Sequence, residues 1–323
     1  ETIRQGIFFS DRIEITPKAS LVIGARYDSY ELKPSVDELF NRSNVARNAL
    51  SYIDDSAVTG KLGFIYDITD NISVFAQYAE GFRSPDYESA NISFTNFAFY
   101  YSVAPNPNLD SEESDGYEIG LRGNSDFGLS RINWSLVYYE NDYKDFIDTQ
   151  ITGRTPRGIT IYQYVNLNNV TIDGFEFEAQ ALINDNYSLY IGYSNSDGEQ
   201  NGEKLISIDP DQTIIGLNWS SDSGRFNIRG FANITEGSID GLAPVCGRSG
   251  CNNLVETPGR ATFDLFFNAN LSDNIDLNFA VRNITNEKYY DWASVNGKAV
   301  NDPELDLYSN SGRTFSASLK YIF

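Results

Sequence analysis

Residues 262–271 read TFDLFFNANL, and the alternation in this stretch decides the fold class. Its odd-numbered residues are apolar, whereas its even-numbered residues are polar except for Phe266. A period of two places successive side chains on opposite faces of a β-strand. The stretch therefore predicts a strand with one apolar face and one polar face.

The same alternation recurs along the chain and predicts an all-β protein. It continues through 275–282 and through the C-terminal residues 314–323. The whole chain read in this way predicts thirteen strands, near 5–15, 20–31, 56–68, 72–82, 114–125, 130–148, 160–182, 187–197, 210–220, 225–235, 259–271, 275–290 and 312–323. Several of these exceed the usual length of a strand in a globular protein.

The connections between the predicted strands alternate in length. Short polar turns, such as 16–18 and 69–71, alternate with long polar loops. The long loops lie near 32–55, 83–113, 236–258 and 291–311, with shorter ones near 149–159 and 198–209. Outer-membrane barrels have short periplasmic turns and long extracellular loops. The pattern therefore predicts a transmembrane, antiparallel, up-and-down β-barrel.

The two faces of the strands fit such a barrel. The apolar face would meet lipid, and the polar face would line a lumen that holds water or a plug. A soluble β-sandwich is the alternative for the fold. Single-chain bacterial barrels have an even number of strands, so the odd count predicts further strands before residue 1.

Composition excludes several classes of function. The net charge of −21 opposes nucleic-acid binding, which needs a basic surface. The chain has no histidine, which removes Ser-His-Asp catalysis and histidine-ligated metals. We expect no enzymatic activity. The two cysteines, Cys246 and Cys251, predict a disulfide in an oxidising compartment, since no further Cys or His exists to complete a metal site.

Four segments share the motifs of one membrane-receptor family. They are GFRSP at 81–85, NPNL at 106–109 followed by EESDGYEIG at 112–120, NITNEKYY at 283–290, and the last strand from 312 to the terminal Phe323. In order and spacing they resemble the TonB-dependent outer-membrane receptors. The resemblance implies a barrel of about 22 strands, of which about 13 are present here. Residues 1–323 would be its C-terminal part, and the plug domain and N-terminal strands are absent from this sequence.

The resemblance also implies a function and partners. The two loop motifs and the stretch KYYDWASV at 288–295 are most similar to the haem and haemoprotein receptors. This implies TonB-coupled import of haem or another iron complex as transported ligand, with no intrinsic cofactor. The TonB complex, reached through the missing N-terminal part, outer-membrane lipid, lipopolysaccharide and an extracellular haemoprotein are the implied partners. A ferric-siderophore receptor is the first alternative, and a passive porin or a soluble β-rich adhesin is less favoured.

The segment between the two loop motifs supplies the candidate ligand-binding residues. An arginine there can meet an anionic group, and tyrosines can stack on a flat ligand or ligate haem iron. Barrel arginines also pair with neighbouring carboxylates, and loop aromatics also pack against one another. The predicted ligand-binding residues are Arg83, Tyr87, Tyr100, Tyr101, Asn106 and Asn108.

A run of acidic residues follows the NPNL motif, at Asp110, Glu112, Glu113 and Asp115. Calcium takes several oxygen ligands, but the run lacks the glycine and the distal glutamate of an EF-hand. We therefore predict a solvated acidic loop and no metal site.

Overall fold

A computed structural model describes residues 1–35, 50–97, 100–128, 130–238, 245–247 and 250–323, with backbone alone at 127, 245–247 and 250–252. The described residues form twenty strands and very little helix. In chain order the strands are β1 Thr2–Thr16, β2 Ala19–Leu32, β3 Ile53–Thr69, β4 Ile72–Arg83, β5 Phe94–Asn96, β6 Tyr101–Ala104, β7 Glu112–Phe127, β8 Ser130–Lys144, β9 Phe146–Arg154, β10 Thr160–Leu167, β11 Val170–Leu182, β12 Tyr187–Gln200, β13 Glu203–Lys204, β14 Gln212–Ser220, β15 Phe226–Thr235, β16 Val245–Gly247, β17 Gly250–Asn252, β18 Arg260–Ser272, β19 Ile275–Arg282 and β20 Thr314–Tyr321.

Thirteen strands pair in sequence order in one antiparallel sheet. Its order is β1-β2-β3-β4-β7-β8-β11-β12-β14-β15-β18-β19-β20, and β13 pairs with the end of β12. Each strand pairs with the next strand of this order, as in an up-and-down barrel. The predicted all-β fold and its thirteen long strands are confirmed.

In the described parts of the long loops there are two smaller sheets and three short helices. A four-stranded sheet has the order β5-β6-β10-β9, and β16 pairs with β17. The helices are Tyr87–Asn91, Trp292–Val295 and a 3₁₀ helix at Leu305–Tyr308. Among the described residues, no helix is long and apolar enough to cross a membrane.

Three predicted strand boundaries are wrong, and each error falls at an Asp or Asn with positive φ. Asp145 (φ 54°) ends β8 before β9, Asn169 (φ 57°) separates β10 from β11, and Asn283 (φ 51°) follows the end of β19. Asp and Asn tolerate this left-handed conformation better than other residues with a side chain. The predicted strands 130–148, 160–182 and 275–290 therefore end or divide at these positions, and β9 occupies residues 149–154 of the predicted loop 149–159.

The pairing register confirms the two predicted faces in the C-terminal hairpins. Leu277 lies opposite Leu319, and Phe279 lies opposite Ala317, on the apolar face. On the polar face Asn278 lies opposite Ser318 and donates its Nδ2 to Ser318 Oγ at 3.3 Å. Of these apolar side chains, Phe279 is 39% exposed and Leu319 is 66% exposed. This is the arrangement of a wall whose apolar face meets lipid.

Phe266 interrupts the alternation because cationic and aromatic side chains surround it on the polar face. The guanidinium carbons of Arg229 and Arg282 lie 5.8 and 5.6 Å from its ring centroid. Phe231 packs against it edge-on, with the centroids 5.9 Å apart. Cation–π contacts of this kind offset the placement of an aromatic ring among polar residues.

The two buried apolar clusters lie at the long-loop end of the large sheet. One contains Leu167, Val170 and Leu205, and the other contains Val255, Trp292 and Val295. Loops that have buried clusters of their own hold a defined conformation, which is what a binding surface requires. The end of the sheet that carries the long loops is therefore the candidate position of a functional site.

Candidate ligand-binding loops

Loop A (residues 84–111, between β4 and β7) begins and ends at an ion pair. Arg83 Nη2 lies 2.6 Å from Glu112 Oε2. The same Oε2 accepts a hydrogen bond from the backbone N–H of Ile147 at 3.1 Å. Glu112 thus joins the base of loop A to β9 in loop B (residues 145–169, between β8 and β11). Arg83, a predicted ligand contact, already has a carboxylate partner.

The helix Tyr87–Asn91 opens loop A with a reciprocal cap. Ser89 N donates to Asp86 Oδ1 at 2.8 Å, and Asp86 N donates to Ser89 Oγ at 3.1 Å. Burial raises the pKa of Asp86, but the hydrogen bonds from Ser89 and the charge of Arg83 outweigh it, so the pKa lies below its ordinary value. The cap fixes the start of the helix. Tyr87, a predicted ligand contact, is the first helical residue and is 42% exposed.

Buried Asn91 attaches the end of this helix to the segment before β3. Its Oδ1 accepts from Ser51 N at 2.5 Å, and its Nδ2 donates to Ser51 O at 3.3 Å. Asn91 is 2% exposed. The side-chain amide of Asn91 thus forms hydrogen bonds with both the N–H and the C=O of Ser51, as the backbone of a neighbouring strand would.

The NPNL segment joins loop A to loop B. Asn106 Nδ2 donates to Tyr164 O at 2.9 Å, and Asn106 Oδ1 accepts from Asn108 N at 3.1 Å. Nearby, Asn166 Oδ1 accepts from Asp110 N at 2.9 Å and its Nδ2 donates to Asp110 O at 3.0 Å. Asn106 therefore positions the two loops, while Asn108 is exposed and contributes its backbone N–H.

The two loops also share a sheet, here called the loop sheet (β5-β6-β10-β9). β6 of loop A pairs parallel to β10 of loop B, with Tyr101 opposite Thr160. β5 pairs with β6, and β9 pairs with β10, both antiparallel. Backbone hydrogen bonds thus make the two loops one structural unit.

Tyr100 and Tyr101 occupy different environments in this unit. The Tyr101 ring lies between Phe94 and Tyr162, with centroid distances of 5.7 and 6.1 Å. Tyr100 is 62% exposed and has φ 56°, an uncommon value for a bulky residue. No described contact joins Tyr87 to either of them. The structure thus places Tyr101 in an aromatic row and leaves the rings of Tyr87 and Tyr100 towards solvent.

The acidic run beyond NPNL does not converge. Glu112 pairs with Arg83, whereas Asp115 accepts from the hydroxyl of Tyr78 at 2.6 Å. Neighbouring residues of β7 also point to opposite faces. Among the described residues, no group of three or more Asp, Glu or Cys has the geometry of a metal site.

The predicted disulfide falls on a hairpin whose side chains lie outside the described residues. Cys246 of β16 is the direct cross-strand partner of Cys251 of β17 in the backbone register. Directly opposite antiparallel residues have Cα atoms about 4.5–5.5 Å apart, within the range that a disulfide spans. The bond between Cys246 and Cys251 stays a prediction.

The family model for the TonB dependent receptor-like β-barrel matches residues 1–284. The chain belongs to the TonB-dependent receptor family. Members of this family are β-barrel proteins of the outer membrane, so the apolar face of the large sheet is the lipid face of the barrel wall and the long loops are extracellular. The predicted fold class, family and location are confirmed.

The receptor chain is similar to proteins that bind haemoproteins, siderophores or copper. It is 22% identical to the probable hemoglobin and hemoglobin-haptoglobin-binding protein 4 of Haemophilus influenzae, over 91% of this chain and 35% of that protein. It is 25% identical to the probable TonB-dependent siderophore receptor PiuA of Acinetobacter baumannii, over 88% of this chain and 37% of that protein. Its fold matches the copper transporter OprC with a TM-score of 0.74 and 18% identity, over 99% of this chain and 47% of that chain. The chain spans about a third of the length of the first two relatives.

The sequence-based prediction did not identify several residues that hold the receptor's loops together. Glu112 stood in an acidic run, Asn91 in a polar loop and Asn166 inside the predicted strand 160–182, so neither charge nor periodicity marked them. The residue type was the only indication in the sequence, because Asn side chains can form hydrogen bonds with the backbone groups of a loop and so fix its conformation. The backbone groups that these side chains bind are distant in sequence. Asn91 binds a residue 40 positions away, and Asn166 binds a residue 56 positions away.

Proposed function

We propose that this chain supplies part of the barrel wall and the ligand-capturing loops of a receptor that imports haem or another iron complex through TonB-coupled uptake. The observation that carries the proposal is the union of loops A and B into one hydrogen-bonded unit at the extracellular end of the strands. A passive pore needs no such unit. A receptor that first captures a scarce ligand requires a preformed surface.

Similarity favours haem or a haemoprotein as the source of iron. The relative from Haemophilus influenzae is described as binding hemoglobin and hemoglobin-haptoglobin. Because the chain has no histidine, any iron ligand from residues 1–323 is a tyrosine, a cysteine or a carboxylate. Of the three predicted tyrosines, Tyr87 and Tyr100 have the exposure that contact with a large ligand requires.

The remaining parts of the transport system belong to this proposal as well. The plug and the contact with the TonB complex lie in segments outside 1–323, which fits a chain about a third as long as its relatives. Lipid and lipopolysaccharide surround the exposed apolar face, and an extracellular haemoprotein docks on the loops. The protein transports and does not catalyse.

A ferric siderophore is the second candidate ligand. The relative from Acinetobacter baumannii is described as a probable siderophore receptor and aligns with most of the chain. Siderophore capture by stacking and hydrogen bonding also needs no histidine.

Growth of a deletion strain separates these ligands. The strain is complemented with the full-length gene and supplied with haem, haemoglobin or ferric siderophores as sole iron source. We expect growth on haem or haemoglobin that requires a functional TonB. Growth on siderophores alone would replace haem by the second candidate, and growth on neither would refute iron uptake.

The tyrosines are tested in the same strain. Changing Tyr87, Tyr100 and Tyr101 together to Phe keeps the rings and removes the hydroxyls. A loss of growth on haem would support ligation by a tyrosine. Undiminished growth would mean either that residues outside this sequence ligate the iron or that the receptor captures haem without ligating its iron.

A further inference from the structure

One face of the loop sheet is lined by apolar side chains from both loops. Phe94 lies opposite Val103, Val103 opposite Tyr162, and Tyr162 opposite Ile151. Residues that lie directly opposite one another across a sheet point to the same face. Tyr101, two residues before Val103, adds its ring to the same row.

The side chains of this face pack against one another, and those of Phe94 and Ile151 remain exposed. The ring of Tyr101 meets Phe94 and Tyr162 edge-on, at interplanar angles of 81° and 84°. Phe94 remains 41% exposed and Ile151 remains 48% exposed. Contiguous apolar residues left at a surface mark a binding site more often than scattered ones.

A cation lies at the rim of the same face. Arg154 is opposite Thr160, which is itself opposite Tyr101. The pairing of β9 with β10 skips Thr152, and this bulge brings Ile151 and Arg154 onto one face although they are three residues apart. Arg154 is exposed, and no ion pair is found for it among the described residues.

The charge of the chain makes that arginine significant. At a net charge of −21 the protein repels anions in general, so an anionic ligand needs a local positive group. Arg83 at the base of loop A is already paired with Glu112. The guanidinium of Arg154, which has no ion pair in the described part of the chain, can bind a carboxylate with two parallel hydrogen bonds.

We infer that this face binds a planar, unsaturated ligand that carries carboxylates, with the aromatic row against the flat ring system and Arg154 on a carboxylate. The inference rests on the proposed uptake function and specifies which groups of the receptor first contact the ligand. Ring contacts of this type hold flat ligands without any bond to a metal, which suits a chain that has no histidine. Loop B, through Tyr162, Ile151 and Arg154, supplies half of the surface.

The test uses the full-length receptor in detergent micelles and two iron-free probes. Protoporphyrin IX carries two carboxylates, and its dimethyl ester has the same ring system without their charges. Arg154→Gln should weaken binding of the free acid about fivefold and leave the ester unchanged. Arg225→Gln removes the same charge at the opposite, tight-turn end of the strands and should leave both affinities unchanged.

The aromatic row is tested with the same probes. Tyr162→Ser should weaken both of them, by about tenfold, whereas Tyr162→Phe should retain both affinities because the ring remains. Phe94→Ala, at an exposed position, repeats the test without disturbing the centre of the sheet. Hydrogen exchange of β9 and β10 amides verifies that each variant keeps the hairpin.

Three results would overturn the inference. They are a full-length receptor that binds neither probe, an Arg154→Gln variant that binds the free acid as the wild type does, and folded Tyr162→Ser and Phe94→Ala variants with unchanged affinities. Growth on haem together with any of these results would refute this face and leave the proposed function intact. Failure to grow on haem, haemoglobin and ferric siderophores alike would refute the function itself.

Discussion

Arg83 and Glu112 form an ion pair whose two partners differ sharply in exposure. The Nη2–Oε2 distance is 2.6 Å, and the side chain of Glu112 is 9% exposed while that of Arg83 is 59% exposed. Glu112 is thus the buried member, and Arg83 is the group that compensates its charge. The arginine of the GFRSP motif has a structural role at the base of loop A.

This asymmetry predicts unequal effects of two matched substitutions. Arg83→Gln leaves a buried carboxylate with the backbone donor of Ile147, whereas Glu112→Gln leaves an arginine that water can solvate. We expect Arg83→Gln to lower the free energy of local opening of loops A and B by about 1–2 kcal/mol more than Glu112→Gln does. Hydrogen exchange of the loop amides in the full-length receptor measures this. Equal protection in the two variants would contradict the structural role.

The two asparagines of the NPNL motif should behave differently. Asn106→Ala removes the hydrogen bond to Tyr164 O and the acceptor for Asn108 N, so loops A and B should separate more readily, by about 1 kcal/mol. Asn108→Ala keeps its backbone N–H and should leave loop stability unchanged. Limited proteolysis within 145–169 compares the variants. If Asn108→Ala abolishes uptake with intact loops, Asn108 contacts the ligand directly.

The strands could be predicted from sequence because each is long enough for its alternation to be counted. The pattern in 262–271 gave β18 and its two faces to within a few residues. The boundaries at Asp145 and Asn169 could not be predicted, because apolar alternation continues on both sides of each residue and only the positive φ breaks the strand. Hydrophobic periodicity shows which face of a strand is apolar. It does not show where a single residue with positive φ ends the strand.

The loops were less predictable for a different reason. The motifs located Arg83 and Asn106 correctly at the ends of loop A, but their partners Glu112 and Tyr164 depend on three-dimensional contact between segments. The parallel pairing of β6 with β10 joins two loops that are separate in sequence, and four-residue strands have too few alternations to be recognised.

The hairpin β16–β17 predicts a disulfide that closes a small loop. Because Cys246 and Cys251 are cross-strand partners, we expect them to be bonded when the receptor reaches an oxidising compartment. Mass spectrometry of the unreduced protein should find the two cysteines in one linked peptide. Reduction should leave unfolding of the barrel unchanged, since a short loop constrains little of the unfolded chain. Alkylation of both thiols without prior reduction would refute the bond.

Asp148 of β9 predicts a pH-dependent stability of the β9–β10 hairpin. Burial raises the pKa of Asp148 above its ordinary value, although a hydrogen bond from Thr149 N opposes the rise. The folded hairpin therefore binds this proton more tightly than the unfolded chain does, and stability is lost as the pH rises through the folded pKa. Asp148→Asn should protect the hairpin amides at pH 7, and the gain should vanish below pH about 4. A gain that persists at low pH would exclude this cause.

The lipid face of the last strand predicts opposite outcomes for neighbouring residues. Leu319 lies opposite Leu277 on the apolar face, whereas Ser318 lies opposite Asn278 on the polar face. An arginine on the lipid face costs about 2–4 kcal/mol near the middle of the bilayer, and it costs little where it meets a polar lumen. Leu319→Arg should therefore lower the free energy of unfolding in vesicles and reduce assembly in the outer membrane, while Ser318→Arg should assemble normally. Urea unfolding in phosphatidylcholine vesicles and heat modifiability on gels measure both effects. If Ser318→Arg is the more damaging change, the assignment of the two faces is reversed.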